Sequence, residues 1–258
     1  MQAQRFELKY LITEEQALMV RDFVRSYLEM DEFSVGRPNY SYPVHSLYLD
    51  SGNLKTYWAT INGDKNRYKL RLRYYSTNAD SPVFFEIKRR VNNCIMKQRG
   101  GVRQGAVRML LTGHYPELDH LISKAPKGLV AVQRFVQLCG EIGAGPKVHI
   151  AYEREAYVSD NDQVRVTIDR NVRAQPNLDY SITTNMANPH PSFVGQVILE
   201  LKFTNRFPDW FKELVRIFGV MQCGAAKYVE SIQACGGKQL RSTYAVIAEP
   251  SDYSRPRR

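Results

Sequence analysis

The chain has 258 residues, 43% of them apolar, with 36 Lys and Arg against 26 Asp and Glu and a net charge of +10. Its pI of 9.4 and mean hydropathy of -0.42 favour anionic partners. They exclude a membrane-spanning bundle, since no apolar run reaches the roughly 18 residues a spanning helix requires. Four widely scattered cysteines form no CxxC pair and are read as free thiols. With a start that enters a strand pattern at once, they lead to an expected cytoplasmic location.

Taken in chain order, residues 4–12 alternate as a strand. Thr13 opens a helix expected to run through about residue 30. Gln16 is placed for a capping box, and Ala17, Val20, Val24, Tyr27 and Leu28 form the buried stripe. The loop 33–43 leads to a strand at 44–50 and a short helix near 53–61, which Asn62-Gly63 ends. Strands follow at 66–75, 82–91 and 94–99, the last before Gly100-Gly101. Helical segments are expected near 104–112, 117–123 and 128–142, then strands at 147–158, 163–170 and 196–204. Residues 174–195 form a long connection, Pro208 opens a helix through about 218, and another short helix spans 225–235. The tail 238–258 is basic and reads as poorly ordered or peripheral, leaving one domain over 1–237. The expected class is α+β: a closed antiparallel sheet with helices packed outside.

The polar face of these strands is charged where Thr, Ser and Gln are usual. Arg5, Glu7 and Lys9 share one face, as do Lys69, Arg71 and Arg73. Glu86, Lys88 and Arg90 repeat the pattern, followed by Arg165 with Asp169 and Glu200 with Lys202. One such strand is a solvated or charge-protected edge. Five of them point to an enclosed space for a polyanion, with Arg forks and movable Lys charges gripping phosphate. Lys97 and Arg99 share a face and read equally as a basic surface loop. Lys227 reads as a solvated lysine near a Gly224 turn. Glu200 lies mid-strand among apolar residues, so it is either salt-bridged to an arginine or a ligand for a hard cation such as Mg²⁺ or Mn²⁺. Glu7 and Glu86 are weaker candidates for that role and equally suit as partners orienting Arg or Lys. There is no GxxxxGK[ST] loop, HExxH helix or GxSxG elbow, so a bound nucleotide would be held by side chains.

Nine segments in order carry a resemblance. They begin with Arg5-Phe6-Glu7-Leu8-Lys9-Tyr10, Ser46-Leu47-Tyr48-Leu49-Asp50-Ser51, Lys69-Leu70-Arg71-Leu72-Arg73-Tyr74-Tyr75, Phe85-Glu86-Ile87-Lys88-Arg89 and Lys97-Gln98-Arg99. Tyr152-Glu153-Arg154-Glu155-Ala156-Tyr157, Arg165-Val166-Thr167-Ile168-Asp169, Leu199-Glu200-Leu201-Lys202 and Lys227-Tyr228-Val229 complete it. From about residue 4 to 235 the chain resembles the catalytic domain of the vacuolar transporter chaperone (VTC) polyphosphate polymerases, within the triphosphate tunnel metalloenzyme superfamily.

That resemblance implies an eight-stranded antiparallel tunnel in which the terminal phosphate of ATP passes to a growing polyphosphate chain. By motif position it implies catalytic roles for Lys9, Arg71, Arg73, Lys88 and Arg154, phosphate binding by Lys69, Lys97, Arg99, Arg165 and Lys227, and Mn²⁺ or Mg²⁺ at Glu200. Arg5 stands where the wider superfamily's ExExK pattern has its first Glu, which disfavours a two-metal hydrolytic mechanism. Implied partners are ATP and polyphosphate or triphosphate, with a membrane protein as a further partner for export. An inorganic triphosphatase and a non-catalytic polyphosphate or nucleotide-binding module are the alternatives. Nucleic acid is not expected, because the basic residues are interleaved with Glu inside strands.

Overall fold

Alternating charged and apolar residues dictate long two-faced strands. In the computed structural model, which describes residues 5–92 and 94–240, these form one antiparallel sheet. Its strands are β1 (Arg5–Ile12), β2 (Glu29–Met30), β3 (Tyr42–Asp50), β4 (Asn66–Tyr74) and β5 (Val83–Val91), then β6 (Cys94–Val102), β7 (Gly145–Val158), β8 (Val164–Pro176), β9 (His190–Pro191) and β10 (Val197–Thr204). The helices are α1 (Glu14–Val24), α2 (Lys55–Ile61), α3 (Val107–Leu111), α4 (Pro126–Ile142), α5 (Asp209–Ile217) and α6 (Lys227–Ala234). Eight strands follow the order β1-β10-β8-β7-β3-β4-β5-β6, while the two-residue β2 and β9 pair with β7 and β8.

The sheet curls into the expected tunnel, since Lys88 on β5 reaches Glu7 on β1 at 2.9 Å although five strands lie between them along the ladder. Closure differs from the expectation in one respect. No backbone ladder joins β1 to β6 among the described residues, so charged side chains rather than N–H···O bonds span the gap. On its outer side β6 lies against α4: a Cβ on Gly100 would meet Val132 Cγ2 at 2.6 Å and the Gly128 carbonyl closer still.

Apolar residues cover the outside of the curl. Tyr10, Val166, Ile168, Leu199 and Leu201 pack under Ala17, Val20 and Val24 of α1 and Phe211 and Leu214 of α5. Leu70, Leu72, Phe85 and Ile87 pack under Leu110 of α3 and Val132 and Phe135 of α4. Fully burying each such side chain contributes roughly 2 kcal/mol. A third cluster lies inside, where Tyr228, Val229 and Ile232 of α6 fill one end of the concave face against Val148, Ile150, Val172, Ala174 and Ile198.

Several boundaries move. Thr13 and Gln16 form the expected capping box, but α1 ends at Val24 and Tyr27 is exposed, stacked on Trp210 rather than buried in the stripe. The strand expected at 94–99 continues through Gly100-Gly101 to Val102, because α4 leaves room there only for glycine. The helix expected at 117–123 is a single 3-10 turn at Leu118–His120, and Pro208 precedes α5 as its N-cap. Of the tail expected at 238–258, Leu240 is buried against the α6 cluster, and residues beyond 240 lie outside the described residues.

Candidate functional site

The register brings the charged faces together in rows across the concave side. Lys69, Lys88 and Lys97 are direct neighbours on β4, β5 and β6, and the next row reads Tyr48, Arg71, Glu86, Arg99 across β3 to β6. On the opposite wall, Lys9 pairs with Glu200 and Glu7 with Lys202, while Arg154 lies opposite Asp169. Every residue expected at the site therefore faces the tunnel. Its ammonium and guanidinium groups far outnumber the four carboxylates Glu7, Glu86, Asp169 and Glu200.

Glu200 is the hub of one wall. Its Oε1 lies 3.1 Å from Lys227 and 3.3 Å from Lys9, and its Oε2 lies 2.6 Å from Lys202 and 3.5 Å from Arg154. Burial opposes its charge, yet these four cations hold the carboxyl well below the usual range, so it stays ionised. Arg154 forks onto Asp169 at 2.6 and 2.7 Å. Lys227 is no solvated lysine: it is 8% exposed and 2.6 Å from Asp169. What places it is Asp50, whose carboxylate accepts from the Thr56 and Tyr57 N–H groups at the start of α2 and from the Tyr228 hydroxyl at 2.7 Å. Tyr228 also stacks on Tyr48, locking α6 inside the curl.

On the other wall Glu86, 1% exposed, takes Arg71 at 2.6 Å through Oε2. Its Oε1 accepts no hydrogen bond, with Lys97 at 3.6 Å and Arg99 at 3.8 Å. Glu7 binds Lys88 and Lys9. Both glutamates thus orient cations in the structure. Arg73 donates to Ser46 and to the Tyr152 hydroxyl at 2.9 Å. Arg165 pairs with Asp31 at 2.7 Å, at the end of the tunnel opposite α6.

Burial and then crowding pull Lys69 down to about 7, Lys9 and Lys88 being the like charges that act on it most. Burial takes Lys97 and Lys202 down to about 8, only partly offset by Glu86 and Glu200. Burial likewise opposes the charge of Lys9, but Glu200 and Glu7 overcome it and raise the group. Lys69 itself has no carboxylate partner among the described residues.

Two contributors, Tyr152 and Tyr48, escape a reading of charge alone. The ring of Tyr152 is contacted by Lys227 at 4.9 Å, Arg154 at 5.2 Å and Arg73 at 5.9 Å. Tyr48 accepts from Arg71 at 3.0 Å. Lys202, visible on the charged face, is as central as Lys9. The inward alternation Tyr42, Val44, Ser46, Tyr48 and the position of Tyr152 two before Arg154 were the available signals.

No group of three or more His, Cys, Asp or Glu able to hold a metal occurs among the described residues. Glu200 suits a hard cation in donor chemistry, as an ionised oxygen ligand. With four cations around it, an ion there fits only if phosphate oxygens complete its sphere.

A curled antiparallel sheet with a buried, cation-rich interior defines a tunnel protein of the class that takes nucleotides or polyphosphates. The model of the VTC domain matches residues 4–235. The chain belongs to the VTC domain family. Among solved structures, a candidate adenylate cyclase from Bacillus halodurans shares the fold, with TM-score 0.50 at 12% identity over 88% of this chain and 96% of that one. A conserved hypothetical protein from Pyrococcus furiosus superposes with TM-score 0.42 at 12% identity, covering 88% and 99% of the two chains. No curated protein matches the chain. No helix among the described residues is long and apolar enough to cross a membrane.

Proposed function

We propose that the chain is a metal-dependent polyphosphate polymerase that moves the terminal phosphoryl group of ATP onto the end of a phosphate chain held in the tunnel. The observation that carries this reading is the convergence of Lys9, Arg71, Arg73, Lys88, Arg154 and Lys227 on one buried space in which Lys69 has no carboxylate partner among the described residues.

In the reaction the bond between the γ-phosphorus and its bridging oxygen breaks, and ADP leaves with that electron pair. A terminal oxygen of the chain supplies the new P–O bond. This nucleophile is already anionic, so no general base is required. Catalysis of such a loose transition state is chiefly positioning and charge stabilisation. Arg71, Arg73 and Arg154 grip the transferring group, Lys9 and Lys88 place the incoming chain end, and Lys97, Arg99 and Arg165 hold flanking phosphates. Glu200 would hold a divalent ion, Mn²⁺ or Mg²⁺, which would supply charge neutralisation to the donor phosphate. A cytoplasmic location, with a membrane-protein partner taking away the product, belongs to the same reading.

The test is incubation of the purified chain with ATP and Mn²⁺, assayed for acid-labile phosphate chains. Chain growth, lost at least 100-fold in Glu200→Gln while triphosphate affinity stays within about threefold, is the expected result. Release of orthophosphate without growth would make the protein a triphosphatase, and binding without turnover would make it a binding module.

A further inference from the structure

The basic lining does not stop at the lysine row. Arg67 and Arg90 lie in register with each other and two residues beyond Lys69 and Lys88, so they occupy the same inward face one step nearer the end of β4 and β5. Two like charges directly opposite on neighbouring strands cost stability. Neither arginine has a carboxylate ion pair among the described residues. Arg67 donates to the Asp64 carbonyl, and Arg90 donates to the Asn92 carbonyl at 2.8 Å. Burial and the charge of Arg90 lower Arg67, and the opposing Asp64 carboxylate does not offset them.

These two guanidinium groups open onto a cavity of about 400 Å³, lined by Gly63, Lys65, Arg67, Arg90 and Asn92. The far wall at this end is filled by α6, whose Tyr228, Val229 and Ile232 pack on β7, β8 and β10. A chain leaving the tunnel here is therefore directed along β4 and β5. From Arg71 through Lys69 to Arg67 the cationic steps are two residues apart, about 6.6 Å each. Among the described residues no aromatic or apolar side chain lines the cavity, so its chemistry suits phosphate groups rather than the stacking of a nucleobase.

We propose that this mouth is an outer subsite for linear polyphosphate, in which Arg67, Arg90 and Lys65 hold the part of the chain that extends past the tunnel and so make long chains bind more tightly than short ones. The inference rests on the reading of the tunnel as a polyphosphate site. Each guanidinium fork can meet two oxygens of one phosphate, and the rows are too far apart for a triphosphate in the centre to engage both.

The experiment compares the full chain with the double variant Arg67→Gln/Arg90→Gln. Affinities are measured for tripolyphosphate and for polyphosphate of about a hundred units at two salt concentrations, with ATP turnover measured alongside. The expected result is at least tenfold weaker binding of the long chain, with a shallower salt dependence, while tripolyphosphate affinity changes less than twofold. Under turnover the variant should release shorter products at unchanged KM for ATP. Equal weakening for both ligands, no weakening for either, or a raised KM for ATP would each overturn the subsite. If the unmodified chain binds neither polyanion, the reading of the tunnel itself fails. If it binds both and the variant shows no length selectivity, the outer subsite alone fails.

Discussion

Lys69 shows at the residue scale what the tunnel asks of a ligand. Its ammonium, drawn down to about 7 by burial and by Lys9 and Lys88, is mostly neutral at pH 8, and a phosphate beside it restores the charge. Tripolyphosphate binding should therefore take up protons at pH 8, and affinity should fall as pH rises from 7 to 9. Calorimetry in buffers of different ionisation heat reads both effects, and Lys69→Arg should flatten the pH profile. The outer face holds another buried titratable pair. His45 and His149 lie 3.1 Å apart with Tyr74 stacked alongside, and burial pushes them down to about 4 and about 3. Both sit below the ordinary value near 6.5, so between pH 6.5 and 4 the unfolded chain binds protons that the native one refuses. Their contribution is intact above pH 6.5 and is lost as the pH falls, by about 2 kcal/mol for each ring at pH 5. Equal urea midpoints at pH 7 and pH 5 would contradict this. These residues also mark where reading the chain succeeded and where it stopped. Period-two charge put Lys9, Arg71 and Arg73 on the charged inner face without coordinates. Charge periodicity alone left Lys227 as a solvated lysine and only the resemblance singled it out, because a buried Asp50–Tyr228 contact, 178 positions apart in the chain, turns it inward.

Elements are held in place by a few polar anchors. Asp50 caps the start of α2 and ties α6 to the concave face at the same time. Asp50→Ala strips at least four hydrogen bonds from buried donors, so a loss of about 3 kcal/mol in urea unfolding is expected. Tripolyphosphate affinity should drop as well, since α6 carries Lys227; a variant that kept full affinity would argue that α6 does not need this tether. Gly100→Ala should be destabilising by several kcal/mol, because the obstruction is the Gly128 backbone of α4 rather than a movable side chain. Strand positions were largely legible because one face is uniformly apolar and the other charged. Helix ends were less so. The pattern from Thr13 predicts a helix to about 30, yet α1 stops at Val24, since Leu28 and Met30 are needed beside β7 and β8 rather than on a further turn. Gly100-Gly101 bounds the expected strand at 94–99 and proves to be part of it, a distinction that depends on α4, nearly thirty residues downstream.

For the whole molecule, the curl concentrates charge that an open sheet would leave in water. Lys9, Lys88 and Lys202 share Glu7 and Glu200, while Lys69, Arg67 and Arg90 have no carboxylate of their own among the described residues. Such an interior is strained by repulsion when empty of anions and relieved when one enters, which couples stability to ligand. The tunnel topology was legible from the repeated charged strand faces. The open β1–β6 edge was not, because backbone pairing between the first and last strands of a curl leaves no periodic mark. The central claim, that these strand faces bind a linear phosphate anion inside the curl, is tested most directly by urea unfolding with and without tripolyphosphate at matched ionic strength. Saturation at about a hundred times Kd should add about 2.7 kcal/mol to the unfolding free energy, and Arg71→Gln/Arg73→Gln should abolish most of that gain. An unfolding midpoint that tripolyphosphate leaves where chloride puts it would contradict the account.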